Sequence, residues 1–250
     1  MRRSERLWHL LYEYGWTEHF SGVWVTGLDL SGLGRRLGVK AGDARLCDRA
    51  ALSQILLDSY GDGATIIWAD RLNDDWLQII EPQGAACSTA MAELSGDGGR
   101  AVGVAWGPGG VRDLRYAVDG EEITRFSVTI PDRRSGRVPD ALDTAAQGLL
   151  FDLDDSGWRT DPELPPAWTA FEEWFIALQE GGGVEGDLEG QEPLPPEFAT
   201  LYEWSLNGYH PALATSITSA LALVGRITGK EIDREWLSGS HPCMSIPLKG

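Results

Sequence analysis

An Asp-Gly pair at positions 119–120 separates two stretches in which apolar residues recur at every second position. Leu114, Tyr116 and Val118 alternate before it; Phe126, Val128 and Ile130 alternate after it. Both central residues of a two-residue hairpin turn take positive φ, which Asp and Gly tolerate, so the pattern predicts a hairpin with strands at about 112–118 and 122–130. A lone hairpin is marginal in water and needs further strands and an apolar cover. The chain supplies both. Residues 64–69 and 75–80 are apolar runs joined by a turn containing Asn73-Asp74. Val102, Val104 and Trp106 alternate and run into Gly107-Pro108-Gly109-Gly110, and Val23 to Leu28 is a short run rich in β-formers. The expected fold is α+β: an antiparallel sheet of about six strands, a meander with hairpins, with helices over one face.

The helices show in a different period. Leu7, Leu10, Leu11 and Tyr14 repeat at helical spacing and stop at Gly15. Ser31 is placed to cap a short helix ending at Gly38, Asp48 to cap another carrying Leu52, Ile55 and Leu56, and Ala90 to Leu94 fits one more. The last 110 or so residues read as helical. One stripe is Leu142, Ala145, Ala146, Leu149 and Leu150; a second is Trp168, Phe171, Trp174, Phe175 and Leu178. A third is Leu213, Ile217, Leu221, Val224 and Ile227, and Ile232, Trp236 and Leu237 suggest a short fourth. The expected organisation is one domain over residues 1–250, sheet-rich over 1–135 and helical over 136–250. A glycine-rich, acidic stretch without periodicity, at about 181–192, reads as a mobile loop.

Several of these segments, in this order, carry a resemblance. They are Val23-Trp24-Val25-Thr26-Gly27-Leu28 running into Leu33 to Gly38, Ala64 to Trp68, Asp75 to Pro82, and the helix Leu221 to Lys230 leading into Glu231 to Leu237. Together they resemble an uncharacterised family of bacterial domains of unknown function, common in high-GC soil bacteria. The resemblance implies a shared α+β fold and carries no established activity, cofactor or catalytic residue. The acidic loop at 181–192 departs from the pattern.

Charge is the compositional feature that stands out. The net charge is −17, and residues 140–203 hold 16 acidic side chains against one basic residue, Arg159. Direct grip on nucleic-acid phosphates or an anionic membrane is disfavoured, since both rest on Lys and Arg. A basic protein partner or a cation is favoured. No apolar run is long enough to span a bilayer, and Met1 to Arg6 is not followed by the apolar core of a secretory signal, so a cytoplasmic location is expected. Cys47, Cys87 and Cys243 are far apart and odd in number, which is no disulfide framework.

Motifs for chemistry are sparse. Gly225 to Lys230 lacks the spacing and the hydroxyl of a phosphate-binding loop, and Gly32-Leu33-Gly34 lacks the third glycine of a dinucleotide turn. His9, His19, His210 and His241 are scattered, and the charged neighbours of Cys47, namely Arg45, Asp48 and Arg49, are too common a grouping to mark an activated thiol. No catalytic residue and no cofactor are assigned. Asp152, Asp154, Ser156, Trp158, Thr160 and Glu163 have the ligand spacing of a calcium loop. Arg159 occupies the position that pairs with a second loop, Pro162 precedes the Glu, and no second loop exists. The stretch therefore reads as an acidic inter-helix loop, and no metal is assigned.

Two functions fit. The first is a non-enzymatic acidic protein-binding module, of the kind used in immunity, anti-phage defence or regulatory adaptors, with Glu185, Asp187, Glu189 and Glu192 reaching for a basic partner. The second is an enzyme or small-ligand-binding domain with a pocket lined by some of the 11 tryptophans and by carboxylates.

Overall fold

The structure is a computed structural model that describes residues 6–39, 44–58, 64–83, 86–107, 112–151, 194–206 and 211–247, with a few isolated positions between 167 and 174. Its centre is a nine-stranded antiparallel sheet. The strands are β1 (Phe20–Thr26), β2 (Arg45–Cys47), β3 (Ala64–Arg71), β4 (Trp76–Glu81), β5 (Arg100–Trp106), β6 (Arg112–Val118), β7 (Glu121–Ser127), β8 (Ile130–Ser135) and β9 (His241–Pro247). Across the sheet they run β2-β9-β3-β4-β1-β5-β6-β7-β8. The described helices are α1 (Arg6–Glu13), α2 (Leu30–Leu37), α3 (Arg49–Asp58), α4 (Ala86–Thr89), α5 (Met91–Ser95), α6 (Asp143–Ala146), α7 (Ala199–Leu206), α8 (Pro211–Thr228) and α9 (Arg234–Leu237).

The Asp-Gly hairpin is present. Asp119 and Gly120 have φ of 50° and 83°, and Asp119 Oδ1 accepts a hydrogen bond from Gly98 N. β5, β6 and β7 follow one another across the sheet as the expected meander, and β8 extends it by one unexpected strand. The remainder departs from a simple meander of six strands. β1 inserts between β4 and β5, pairing Trp24 with Gln78 on one side and with Val102 on the other. The physical reason lies in β1 itself: six of its seven residues are buried, so it needs cover on both faces and a neighbour on each edge. The run 122–130 is broken after Ser127, turns at Val128-Thr129 and returns as β8. β9 lies in a stretch expected to be helical, and it pairs with both β2 and β3.

Helices cover both faces rather than one. On the first face, α1, α3, α8 and α9 pack Leu7, Leu11, Leu52, Leu221 and Trp236 against Trp24, Trp68 and Trp106. On the second, α2, α4 and α5 pack Leu33, Leu37, Cys87, Met91 and Leu94 against Val23, Val25, Ile67, Ile79 and Ala101. The cap of α2 is Asp29, whose side chain accepts from Gly32 N at 2.6 Å, in place of Ser31. Its end is at Gly38 as expected, where φ of 76° suits a residue without a side chain. Asp48 caps α3 through Ala51 N at 2.9 Å. α8 and α9 match the third and fourth stripes. The first stripe condenses into the single turn α6, and most of the second lies outside the described residues. Among the described residues, no helix is long and apolar enough to cross a membrane.

Candidate functional site

The β3–β4 hairpin ends in a turn built by Asn73. Its Oδ1 accepts from Asp75 N and Trp76 N at 3.1 and 3.0 Å, and its Nδ2 donates to Thr228 O at 2.9 Å. That side chain shapes the turn and ties it to the end of α8. Beside it, the end of β1 turns through Gly27 and Leu28 into the Asp29 cap of α2. The two loops enclose a groove of about 400 Å³ lined by Asp29, Arg35, Arg71, Asp74, Asp75 and Trp76. Asp29 and Arg71 also line an adjoining hollow of about 240 Å³, to which Asp70 contributes. Arg71 Nη1 donates to Asp74 O at 3.0 Å, and the Arg100 guanidinium lies 5.2 Å from the Trp76 ring centre. The groove thus gathers three carboxylates with Arg35 and Arg71, beside a Trp76 that is itself buried in the core of the sheet.

Asp70 connects the adjoining hollow to the interior. Its Oδ2 lies 3.0 Å from His241 Nδ1, while His241 Nε2 lies 2.6 Å from Trp236 O. The imidazole stacks on Trp236 with ring centres 4.0 Å apart and meets Trp68 edge-on at 4.8 Å. Trp236 Nε1 donates to Arg71 O, and Trp68 Nε1 donates to Cys47 O. His241 is buried and both its ring nitrogens face acceptors, so it joins β9, β3 and α9 and leaves no nitrogen for a substrate. Opposite Asp70 in register is Gln78, fully buried, whose Oε1 accepts from Trp24 Nε1 at 2.7 Å. Its Nε2 finds no protein hydrogen-bond partner.

The second face holds a buried carboxylate. Glu81 is fully buried, accepts from Cys87 N at 3.0 Å, and has the Thr65 hydroxyl at 3.0 Å. Burial, and then the charge and hydrogen bond of Glu81, push the Cys87 thiol well above the usual range. The Cys243 thiol is pushed up to about 12, first by burial and then by the neighbouring Cys47. Thiols held protonated are poor nucleophiles. Among the described residues no group of His, Cys, Asp and Glu side chains could hold a metal ion.

Glu185, Asp187, Glu189 and Glu192 lie outside the described residues. So do Asp152, Asp154, Ser156, Trp158, Thr160 and Glu163. What sequence reasoning missed is the convergence of Asp70, His241, Trp68 and Trp236. His241 is 171 positions from Asp70, in a stretch with no recognised strand, so spacing carried no trace of the pairing. Asp29, Asp74 and Asp75 sit at turn and cap positions, where such residues are ordinary.

Fold and site together define a three-layer α+β domain with a charged groove at one end of its sheet. The sequence model of a family of unknown function (DUF6461) matches residues 30–181, more than half of the chain, and the chain belongs to that family. No curated protein matches it. No solved structure matches it.

Proposed function

We propose that this chain is a non-enzymatic protein-binding module, cytoplasmic, whose acidic segment 140–203 docks a basic protein partner. The observation that carries the reading is the concentration of charge, a net −15 over that segment, joined to the way its start is moored. Leu142, Ala146 and Phe151 are buried in the core of the first face. Arg134 pairs with Asp143 and donates to Phe151 O at 2.5 Å. Arg226 Nη1 donates to Ala145 O and Gln147 O, each at 2.7 Å. A segment fixed at its base and dense in one charge attracts an oppositely charged partner over a distance and orients it. Such a module suits an immunity, defence or adaptor role.

The test is a pulldown from native extract at low and high salt, followed by surface plasmon resonance against the protein recovered. Neutralising Glu185, Asp187, Glu189 and Glu192 together should slow association on the order of tenfold at low salt and leave dissociation nearly unchanged. Equal association rates at every salt concentration would reduce the segment to a solubilising surface.

The groove favours a second reading, a site for a small cationic or sugar ligand. Its support is the meeting of Asp29, Asp74 and Asp75 with Trp76. Amide shifts confined to residues 27–32 and 70–77 during titration with polyamines or monosaccharides, and lost in Asp74→Asn/Asp75→Asn, would favour it over the first.

A further inference from the structure

Cys47 and Cys243, 196 positions apart in the chain, come together at one edge of the sheet. Cys47 lies on β2 and Cys243 on β9. Arg45 is opposite Cys243 and Cys47 is opposite His241, so the two cysteines are diagonal neighbours in register. They point to the same face: both belong to the core of the first face and are only 3% and 4% exposed. Diagonal positions on one face of an antiparallel pair are neighbours about 7–8 Å apart, a gap that two short cysteine side chains close only if the strands shift. Both thiols are free, and the Cys47 thiol donates to Arg45 O, the residue opposite Cys243. Cys87 is on the opposite face, beside Glu81, and takes no part.

The surroundings suit a bond between them. β2 is three residues long and outermost in the sheet, so it is held by ladder bonds on one side alone. Among the described residues no strand lies beyond it, and its Leu46 is 73% exposed. Diagonal Cα atoms sit about 7–8 Å apart and a disulfide asks for roughly 4.4–6.8 Å, so β2 must slide along β9, toward Cys243, by about 1 Å. An outermost strand this short can make that shift; an interior strand could not.

We propose that Cys47 and Cys243 form a reversible disulfide site that clasps edge strand β2 to the C-terminal strand β9. The oxidant is a hydroperoxide. Whichever thiol ionises first attacks a peroxide oxygen, giving a sulfenic acid and one molecule of water when the oxidant is hydrogen peroxide. The second thiol then attacks that sulfur, the S–S bond forms and a second water leaves. The two cysteines lose two electrons and two protons in all, and the peroxide gains them. A dithiol reductant reverses the step by exchange. Because the Cys243 thiol is held protonated, the reaction is slow at neutral pH and accelerates with alkalinity. Once closed, the clasp keeps β2 over the outer edge of β9, which would otherwise be a row of backbone donors and acceptors open to another strand.

The experiment uses the full chain treated with hydrogen peroxide, then alkylated with N-ethylmaleimide in denaturant and mapped by mass spectrometry without reduction. The expected result is a monomer that takes up one alkyl group instead of three, with one cross-linked peptide pair containing Cys47 and Cys243 and with Cys87 alkylated. Dithiothreitol should restore all three. Cys87→Ser should cross-link like the wild type, and Cys47→Ser should not. Hydrogen exchange at Leu46 and Cys47 should slow by about tenfold or more on oxidation, since the strand no longer opens alone. Three alkylated thiols, after peroxide exposure that fully oxidises a dithiol reference peptide and in urea below the unfolding transition, would overturn the proposal. A link through Cys87 or between two chains would do the same. The wild-type map decides the question even if Cys47→Ser does not fold.

Discussion

The two faces of the sheet are built from different materials. The first is aromatic: Phe20, Trp24, Trp68, Trp76, Trp106 and Phe126 form one core with α1, α8 and α9. The second is aliphatic and small: Val23, Val25, Ala69, Ile79, Ala101 and Ala117 face α2, α4 and α5. An indole brings an N–H that must be satisfied when buried, so the aromatic face is laced to backbone carbonyls: Trp68 to Cys47 O, Trp106 to Trp16 O, Trp236 to Arg71 O. Each of these bonds joins residues far apart in the chain. The aliphatic face carries no indole bond among the described residues; its interior rests on close packing of small side chains, and its bonds to carbonyls lie at its margin, where Arg36 of α2 donates to Glu93 O and Gly96 O and Thr65 donates to Gln83 O. It admits one buried carboxylate, Glu81, held by Thr65 and the Cys87 amide. The first face is therefore positioned by directional bonds from within its aromatic core, while the interior of the second is positioned by shape and its directional bonds sit at the periphery.

The largest test of that difference is Trp68→Ala. The ring touches Trp16, Trp236 and His241, and its removal opens a cavity and leaves Cys47 O without its indole donor. We expect a loss of about 3–5 kcal/mol in urea unfolding. The same truncation on the other face, Ile79→Ala, should cost about 2–4 kcal/mol, from cavity and transfer alone. A cost equal to or larger than that of Trp68→Ala would break the comparison.

Alkaline pH should weaken both faces through their thiols. Cys243 is raised from 9.0 to about 12, and Cys87 is also raised. Above pH 9 the unfolded chain releases thiol protons that the folded chain keeps, so the folded state binds more protons and stability falls as pH rises. The contribution is complete below pH 9 and declines toward pH 12, by at most about 1.4 kcal/mol per pH unit for each thiol. Denaturation of Cys243→Ala and Cys87→Ala between pH 7 and 10.5 separates the faces. Each variant should show a shallower alkaline decline than the wild type, and identical slopes in all three would defeat the assignment.

A smaller effect is expected from His241→Phe. It keeps an aromatic ring against Trp236 and removes the hydrogen bonds to Asp70 and Trp236 O. Asp70 is partly exposed and can turn to water, so the loss should be about 1–2 kcal/mol. The smallest is Tyr12→Ala. Tyr12 is 63% exposed and lies over Trp8 from the outside, so stability should move by less than about 0.5 kcal/mol.

The chain's own pattern determined the local elements. The Asp119-Gly120 turn, the alternation of β5 to β7, the Asp48 cap, the Gly38 stop and the long stripe of α8 each depend on neighbours within a few positions, and sequence displays such neighbours directly. It also set the charge: the acidic excess of residues 140–203 follows from composition alone. The tertiary structure alone decided which strands become neighbours. β1 enters between two hairpins because it is apolar on both faces, and β9 joins β2 and β3 although Pro242 and Pro247 obscure it as a strand. These choices set the functional geometry, since Asp70 meets His241, and Cys47 meets Cys243, only after the last strand has docked beside the third. Contacts across 171 or 196 positions leave no periodicity to read. They arise because burying both faces of the sheet at once leaves few orders in which the strands can lie.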